Sequence, residues 1–178
     1  MKVGVFSGTF DPVHSGHLAV AHAALIMHAL DLVLFTVEQT PWRDKEPTAA
    51  YEERVAMVRV AIAGQNGCEL FEADQSQHNL QTLLDVARRY KPTELFIILG
   101  SDTAQLFAEW EEHQQILRLA KIITVSREAQ PAQIMIDHPA RSQQIRAQLA
   151  SGEQPLHLPE DVYRYIQTNR LYGTMTTK

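Results

Sequence analysis

Cysteine is almost absent. Cys68 stands alone in 178 residues, which excludes an intramolecular disulfide framework and a thiolate zinc cluster within one chain and suits a reducing cytoplasm. Long apolar runs are missing as well, and none reaches the roughly 20 residues that span a bilayer. Nor is there a surplus of positive charge. With 16 Lys and Arg against 21 Asp and Glu, the formal charge is −5, spread without long like-charge blocks. A protein whose main task is to hold nucleic acid or an anionic membrane is thereby excluded, and any phosphate site must be local. No internal repeat or low-complexity tract is visible. The first residues enter a strand-like run at once, without the apolar core and small-residue cleavage site expected of a secretion signal.

What is present is a chain that is 45% hydrophobic, enough to bury a core, with a single domain over residues 1–178 as the expectation. Short β-branched apolar runs alternate with longer amphipathic segments, the pattern of βαβ units, so the fold class is α/β with a mostly parallel sheet. Val3 to Phe6 reads as a first strand, Gly16 to Leu30 as a helix with Leu18, Ala21, Leu25 and His28 near one face, and Leu32 to Val37 as a second strand. Polar residues from Gln39 to Thr48 break the periodicity and form a loop suited to covering a ligand, before a helix from Tyr51 to Ala63. Glu69 to Ala73 is a weak strand and Leu80 to Tyr90 a helix. Leu95 to Leu99 and Lys121 to Val125 read as strands buried on both faces, and Ile134 to Ile136 as a last strand. Helices over Ser142 to Ala150 and Pro159 to Arg170 close the chain, Pro159 suiting a first helical turn.

The densest chemistry runs Ser7-Gly8-Thr9-Phe10-Asp11-Pro12-Val13-His14-Ser15-Gly16-His17-Leu18, between the first strand and the first helix, where α/β sheets bind ligands. Gly8 lets the backbone approach a bound group, Pro12 stiffens the turn, and Gly16 leaves space for phosphate above the helix start. His14 and His17 are three residues apart, so both rings reach one side of the first turn. Beside helix-terminal N–H groups, they can donate to phosphate oxygens as charge develops during nucleotidyl transfer. A helix-capping turn with two exposed histidines is the bland alternative, and a pair of metal ligands the competing chemical one.

At these residues the chain resembles the bacterial nicotinate mononucleotide adenylyltransferases of the HxGH nucleotidyltransferase superfamily. Their pattern G-G-[ST]-F-[DN]-P-x-H-x-G-H-L is matched except at Ser7. The resemblance implies a Rossmann-like, doubly wound fold with helices on both faces and a helical carboxyl-terminal segment. It also implies that the backbone from Gly8 through Thr9 to Phe10 lies against the substrates, while His14 and His17 contact the ATP phosphates. Gly100-Ser101-Asp102, followed by Trp110, looks like the family's G-x-D segment and its tryptophan. Asp102 would accept from ribose hydroxyls or cap the following helix, and Trp110 would lie beside the pyridine ring, although a tryptophan is more often simply core.

Arg141-Ser142-Gln143-Gln144-Ile145-Arg146 aligns with the family's [IV]-S-S-T-x-I-R, whose hydroxyls and arginine hold ATP phosphates at another helix start. Ser142 and Arg146 survive, whereas Arg141 and Gln143 replace two hydroxyl residues. An ordinary helix start and a solvated arginine are the alternative. In Gln77 to Leu83, which occupies the place of the family's S-Y-T-x-[DQ]-T-L, Thr82 is kept and Asn79 replaces the threonine that helps read the nicotinate end. Arg43 and Lys45 lie where the family's loop meets the mononucleotide phosphate, with simple solvation as the alternative. The carboxyl-terminal Pro159 to Tyr172 also resembles the family and reads as packing.

The resemblance implies adenylyl transfer from ATP to nicotinate mononucleotide, giving the deamido dinucleotide and pyrophosphate in NAD biosynthesis. His17 and His14 are its expected catalytic residues. Mg²⁺ is expected to be held mainly by the ATP phosphates and water, with no protein metal cluster. ATP and a pyridine mononucleotide are the expected partners, without nucleic acid or membrane, in the cytoplasm, and self-association is left open. Competing readings are the same chemistry on nicotinamide mononucleotide or 4′-phosphopantetheine, a nucleotide-binding regulatory protein without catalysis, and a metal-dependent hydrolase using the two histidines. No H-E-x-x-H pattern accompanies the last.

Overall fold

The structure, a computed structural model, describes residues 1–39, 46–73, 79–126 and 132–174. Its contacts divide the chain into two compact units. The first comprises Met1–Ser7, Val20–Thr36 and Asn66–Asp137, and the second Gly8–Ala19, Val37–Gln65 and His138–Lys178.

The first unit carries the sheet. Strands β1 (Lys2–Gly8), β2 (Leu32–Val37), β3 (Cys68–Leu70), β4 (Glu94–Gly100), β5 (Lys121–Ser126) and β6 (Ile134–Met135) lie in the order β3-β2-β1-β4-β5-β6, the doubly wound order expected of this α/β class. Pairing is parallel, with Val3 opposite Leu95 and Phe6 opposite Ile98 in β1 and β4, and Ile97 opposite Ile122 in β4 and β5. Val3, Val5, Leu34, Leu95, Ile97 and Leu99 enter one apolar cluster with side chains of the helices α3 (Asn79–Tyr90) and α5 (His113–Leu119). The alternate residues Phe35, Phe96 and Ile98 are buried too. Burial on both faces is why these strands read as unbroken apolar runs.

Helix α1 (Ser15–Met27) stops three residues before the expected Leu30. Ala29 turns left-handed (φ 49°) and the Leu30 amide bonds back to the Leu25 carbonyl at 3.0 Å, a helix-ending turn after which Leu30 is buried. The weak strand is also shorter than expected, Cys68–Leu70 rather than Glu69 to Ala73. After β4 come α4 (Ser101–Gln105), a 3₁₀ turn (Phe107–Glu109) and α5.

The second unit is helical, with α2 (Tyr51–Ile62), α6 (Ser142–Ala150), α7 (Glu160–Asn169) and a 3₁₀ turn at Leu171–Gly173. Helix α2 packs on α7. Val162 and Ile166 form the buried stripe of α7, and Ile145 and Leu149 that of α6, each pair at the i,i+4 spacing of a single helix face. Pro159 lies just outside α7, at its N-cap. Among the described residues, no helix is long and apolar enough to cross a membrane.

Candidate active site

The motif turn lies in the second unit and is built on its own histidines. His14 is the N-cap residue of α1, its carbonyl taking the His17 amide at 2.9 Å. The His14 amide in turn donates to Nδ1 of His17 at 3.1 Å. This is the returning half of a capping box, with an imidazole where a glutamate normally accepts. Because Nδ1 accepts, the proton of the neutral His17 ring sits on Nε2 and makes that atom the donor. The two rings stack with centroids 3.7 Å apart, and Phe10 meets His17 edge-on at 5.0 Å. His14 is only 1% exposed and His17 half-buried, so the picture of two exposed histidines is corrected: the helix-capping turn is present, but its rings are packed.

Packing accounts for both motif glycines. A Cβ at Gly8 would come within 3.0 Å of the Phe10 ring, and one at Gly16 within 3.0 Å of His14 and 3.3 Å of Nδ1 of His138. In this structure the space at these glycines belongs to neighbouring rings. Phe10 itself is buried and left-handed, at φ 48°, while Thr9 and Ser15 are half-buried. Ser15 donates its hydroxyl and its amide to the His157 carbonyl at 2.6 and 3.1 Å.

Behind the turn lie two charged residues to which sequence reasoning assigned no role. Arg54, on α2 and 1% exposed, donates to the carbonyls of Thr9, Glu38, Gln39 and Ala49 at 2.8, 2.7, 3.3 and 3.2 Å. Burial lowers its pKa against the opposing pull of the Asp11 carboxylate. Asp11, 5% exposed, accepts the Thr48 and Ala49 amides at 2.7 and 3.1 Å and the Tyr172 hydroxyl at 2.7 Å. Burial raises the Tyr172 pKa, and the neighbouring negative charge of Asp11 adds to the rise. The Asp11–Pro12 peptide is cis.

Helix α6 adds the second phosphate-binding candidate. Ser142 opens it and donates its hydroxyl to the Pro12 carbonyl at 3.1 Å. Arg146 donates Nη1 to the Asp11 carbonyl at 2.6 Å, and the same atom lies 3.6 Å from Oδ2 of Asp11. The structure thus brings Gly8, Thr9, Phe10, His14, Gly16, His17, Ser142 and Arg146 into one unit. Arg141 is the N-cap residue, and its guanidinium turns back to the carbonyls of His138 and Ala140 at 2.9 and 3.1 Å. His138 accepts the Ala140 amide at 3.2 Å and meets the His157 ring at 5.1 Å.

The remaining candidates belong to the first unit. Gly100 ends β4 with open space around a would-be Cβ, and Asp102 is exposed in the first turn of α4. The N-cap of α4 is Gly100, without a side-chain capping bond, so Asp102 does not cap the helix. Trp110 is half-buried, tilted against Phe107 at 5.2 Å, and packs at the edge of the apolar cluster. Asn79 starts α3, and Thr82 is buried within it. Arg43 and Lys45 lie outside the described residues. Among the described residues no three His, Cys, Asp or Glu side chains converge to hold a metal ion.

Only long-range contacts reveal Arg54 and Asp11 as structural centres. Arg54 sits in Glu52-Glu53-Arg54, which reads as a solvated helix face. Asp11 stands inside the quoted motif without a partner visible nearby in sequence.

Residues 5–151 match the cytidylyltransferase-like family. A protein of Maridesulfovibrio salexigens is 34% identical over 151 residues, covering 82% of this chain and 67% of its own length. Another, of Solibacter usitatus, is 32% identical over 188 residues, covering 97% and 100%. Both carry the name "probable nicotinate-nucleotide adenylyltransferase". The fold matches that of the Plasmodium falciparum nicotinic acid mononucleotide adenylyltransferase complexed with NaAD, with a TM-score of 0.77 over 99% of each chain at 15% identity. Motif, sheet order and relatives agree: this chain belongs to the cytidylyltransferase-like nucleotidyltransferases and, among them, to the family of the nicotinate-nucleotide adenylyltransferases.

Proposed function

We infer that the chain transfers the adenylyl group of ATP to nicotinate mononucleotide, releasing pyrophosphate and forming nicotinate adenine dinucleotide. The carrying observation is His17, whose Nδ1 accepts the His14 amide at a helix start and whose Nε2 is thereby the donor of the neutral ring. A 5′-phosphate oxygen of the mononucleotide attacks the α-phosphorus in line, and the bond from that phosphorus to the oxygen bridging to the β-phosphate breaks. This nucleophile is already ionised, so no general base is needed. The protein aligns the groups and stabilises charge on the bridging and non-bridging oxygens.

His17 is assigned the leading part in that stabilisation, with His14 and Arg146 in support. Gly8, Thr9, Phe10, Gly16, Gly100, Asp102 and Ser142 complete the ATP contacts. Asn79, Thr82 and Trp110, with Arg43 and Lys45, are assigned to the mononucleotide. A bound Mg²⁺ would be held by triphosphate oxygens and water and would supply neutralisation of phosphate charge. The chain acts as one domain over residues 1–178, a reading supported by a family match whose residues run through both units. The net charge of −5 favours small-molecule partners over nucleic acid, and the lone cysteine suits the cytoplasm.

The test offers ATP and Mg²⁺ with nicotinate mononucleotide, nicotinamide mononucleotide and 4′-phosphopantetheine, measuring pyrophosphate and adenylylated product together. Equal amounts of both from nicotinate mononucleotide are expected. ATP binding without either product from any acceptor would sink the catalytic reading.

A further inference from the structure

We propose that Tyr172 is a positioning residue for ATP, acting through Asp11 on Arg146. The inference rests on the reading that Arg146 grips the triphosphate, and it adds a residue that the sequence assigns to packing.

Arg146 is held by Asp11 at two points. Its Nη1 donates to the Asp11 carbonyl at 2.6 Å and lies 3.6 Å from Oδ2. The direction in which the guanidinium presents its remaining donors therefore follows the placement of Asp11. That carboxylate is itself fixed from two sides. Oδ2 takes the Thr48 amide at 2.7 Å, while Oδ1 takes the Ala49 amide at 3.1 Å and the Tyr172 hydroxyl at 2.7 Å. Of these three donors, the hydroxyl is the one a side-chain change can remove.

Placing this hydroxyl requires an unusual backbone. Arg170, Tyr172 and Gly173 have φ of 55°, 56° and 76°, and a left-handed tyrosine is uncommon because its Cβ crowds the carbonyl. The strained turn has a reason if the hydroxyl must reach a nearly buried carboxylate, where a charge-assisted bond is strong. The order of action is thus Tyr172 on Asp11, Asp11 on Arg146, and Arg146 on the phosphates.

The experiment compares the full-length protein with Tyr172→Phe, Arg146→Ala and the double variant. ATP affinity is read by calorimetry with Mg²⁺ and no acceptor, and KM for each substrate is read from turnover. Tyr172→Phe should weaken ATP about fivefold, the scale of one charge-assisted hydrogen bond acting indirectly, while KM for the mononucleotide stays unchanged. In the Arg146→Ala background the same change should add nothing, since its route is gone. Asp11→Asn keeps the shape but loses the charge and turns one acceptor oxygen into a donor facing the Thr48 amide or the Ala49 and Tyr172 donors. It should give an ATP-selective loss at least as large and serves if Tyr172→Phe folds poorly. Wild-type ATP affinity in folded Tyr172→Phe, equal loss for both substrates, or a full additional effect in the double variant would overturn the proposal. An Arg146→Ala protein with unchanged ATP affinity would instead locate the failure in the parent reading and remove this one with it.

Discussion

In the first unit the strands are held by burial of branched aliphatic and aromatic side chains on both faces of a parallel sheet. The second unit also buries apolar stripes, Ile145 and Leu149 on α6 and Val162 and Ile166 on α7, but adds the charged Asp11 and Arg54, at 5% and 1% exposure, whose side chains bond to main-chain groups. The difference concerns what a substitution can separate. In the first unit a candidate ligand contact such as Asp102 is exposed and distinct from the core. Around the motif, His17 closes a helix cap, Gly8 and Gly16 admit rings, and Arg146 bonds to Asp11. On the proposed assignments, chemistry and folding use the same side chains there.

The hardest test of that contrast is Arg54→Met. It leaves four carbonyls without their buried cationic donor and Asp11 with Arg146 as its remaining nearby positive charge among the described residues, so it should cost about 3–5 kcal/mol. Ile97→Ala in the sheet, at a fully buried position, should cost about 2–5 kcal/mol through transfer and cavity formation. Urea unfolding of both variants makes the comparison. A cost near zero for Arg54→Met would mean that apolar packing alone holds the second unit.

Next comes His17→Ala, which should lower turnover roughly a hundredfold or more by removing a donor to the transition state. The protein should remain folded by circular dichroism, since the lost capping contact is worth only about 1 kcal/mol. Full activity in the folded variant would withdraw the central assignment.

What the sequence made legible divides along the same line. Leu32–Val37 was readable to the residue, and Leu95–Leu99 lies one residue inside each end of its strand, because burial on both faces writes itself as a continuous apolar run. Helix α5 was not read: over His113–Leu119 only Ile116 is buried, which leaves no periodicity to see. The motif announced its histidines but not what holds them. Arg54 finds acceptors from Thr9 to Ala49, and Asp11 meets Tyr172 across 161 positions, so their roles exist only in the folded chain.

Two glycines sharpen the comparison further. Gly8→Ala pushes a Cβ against the Phe10 ring at 3.0 Å and should cost about 1–3 kcal/mol as an overpacking change. Gly100→Ala meets nothing within 4 Å, at an ordinary φ of −61°. It should leave stability within about 0.5 kcal/mol and act, if Gly100 faces ATP, on KM for ATP alone. Thermal melts and substrate titrations of both variants separate the cases. A large stability loss in Gly100→Ala would erase the distinction drawn for the first unit.

The smallest expected effect concerns the acceptor. Nicotinate mononucleotide should be preferred over the nicotinamide form by about tenfold or less in kcat/KM. Trp110, half-buried against Phe107, can stack on either pyridine ring and so does not discriminate. On the proposed assignment, discrimination falls to the start of α3, where Asn79 is the first residue of a twelve-residue helix. Amides at a helix start favour a carboxylate, but the Asn79 side chain can turn its amide over and offer a carbonyl to a carboxamide. The two tendencies oppose each other, which keeps the preference small. Asn79→Thr removes the adaptable amide and should widen the preference for the acid, as measured by kcat/KM for both mononucleotides at fixed ATP and Mg²⁺. If Asn79→Thr leaves the ratio unchanged, the choice of acceptor is made elsewhere, and the first unit contributes packing at α3 rather than specificity.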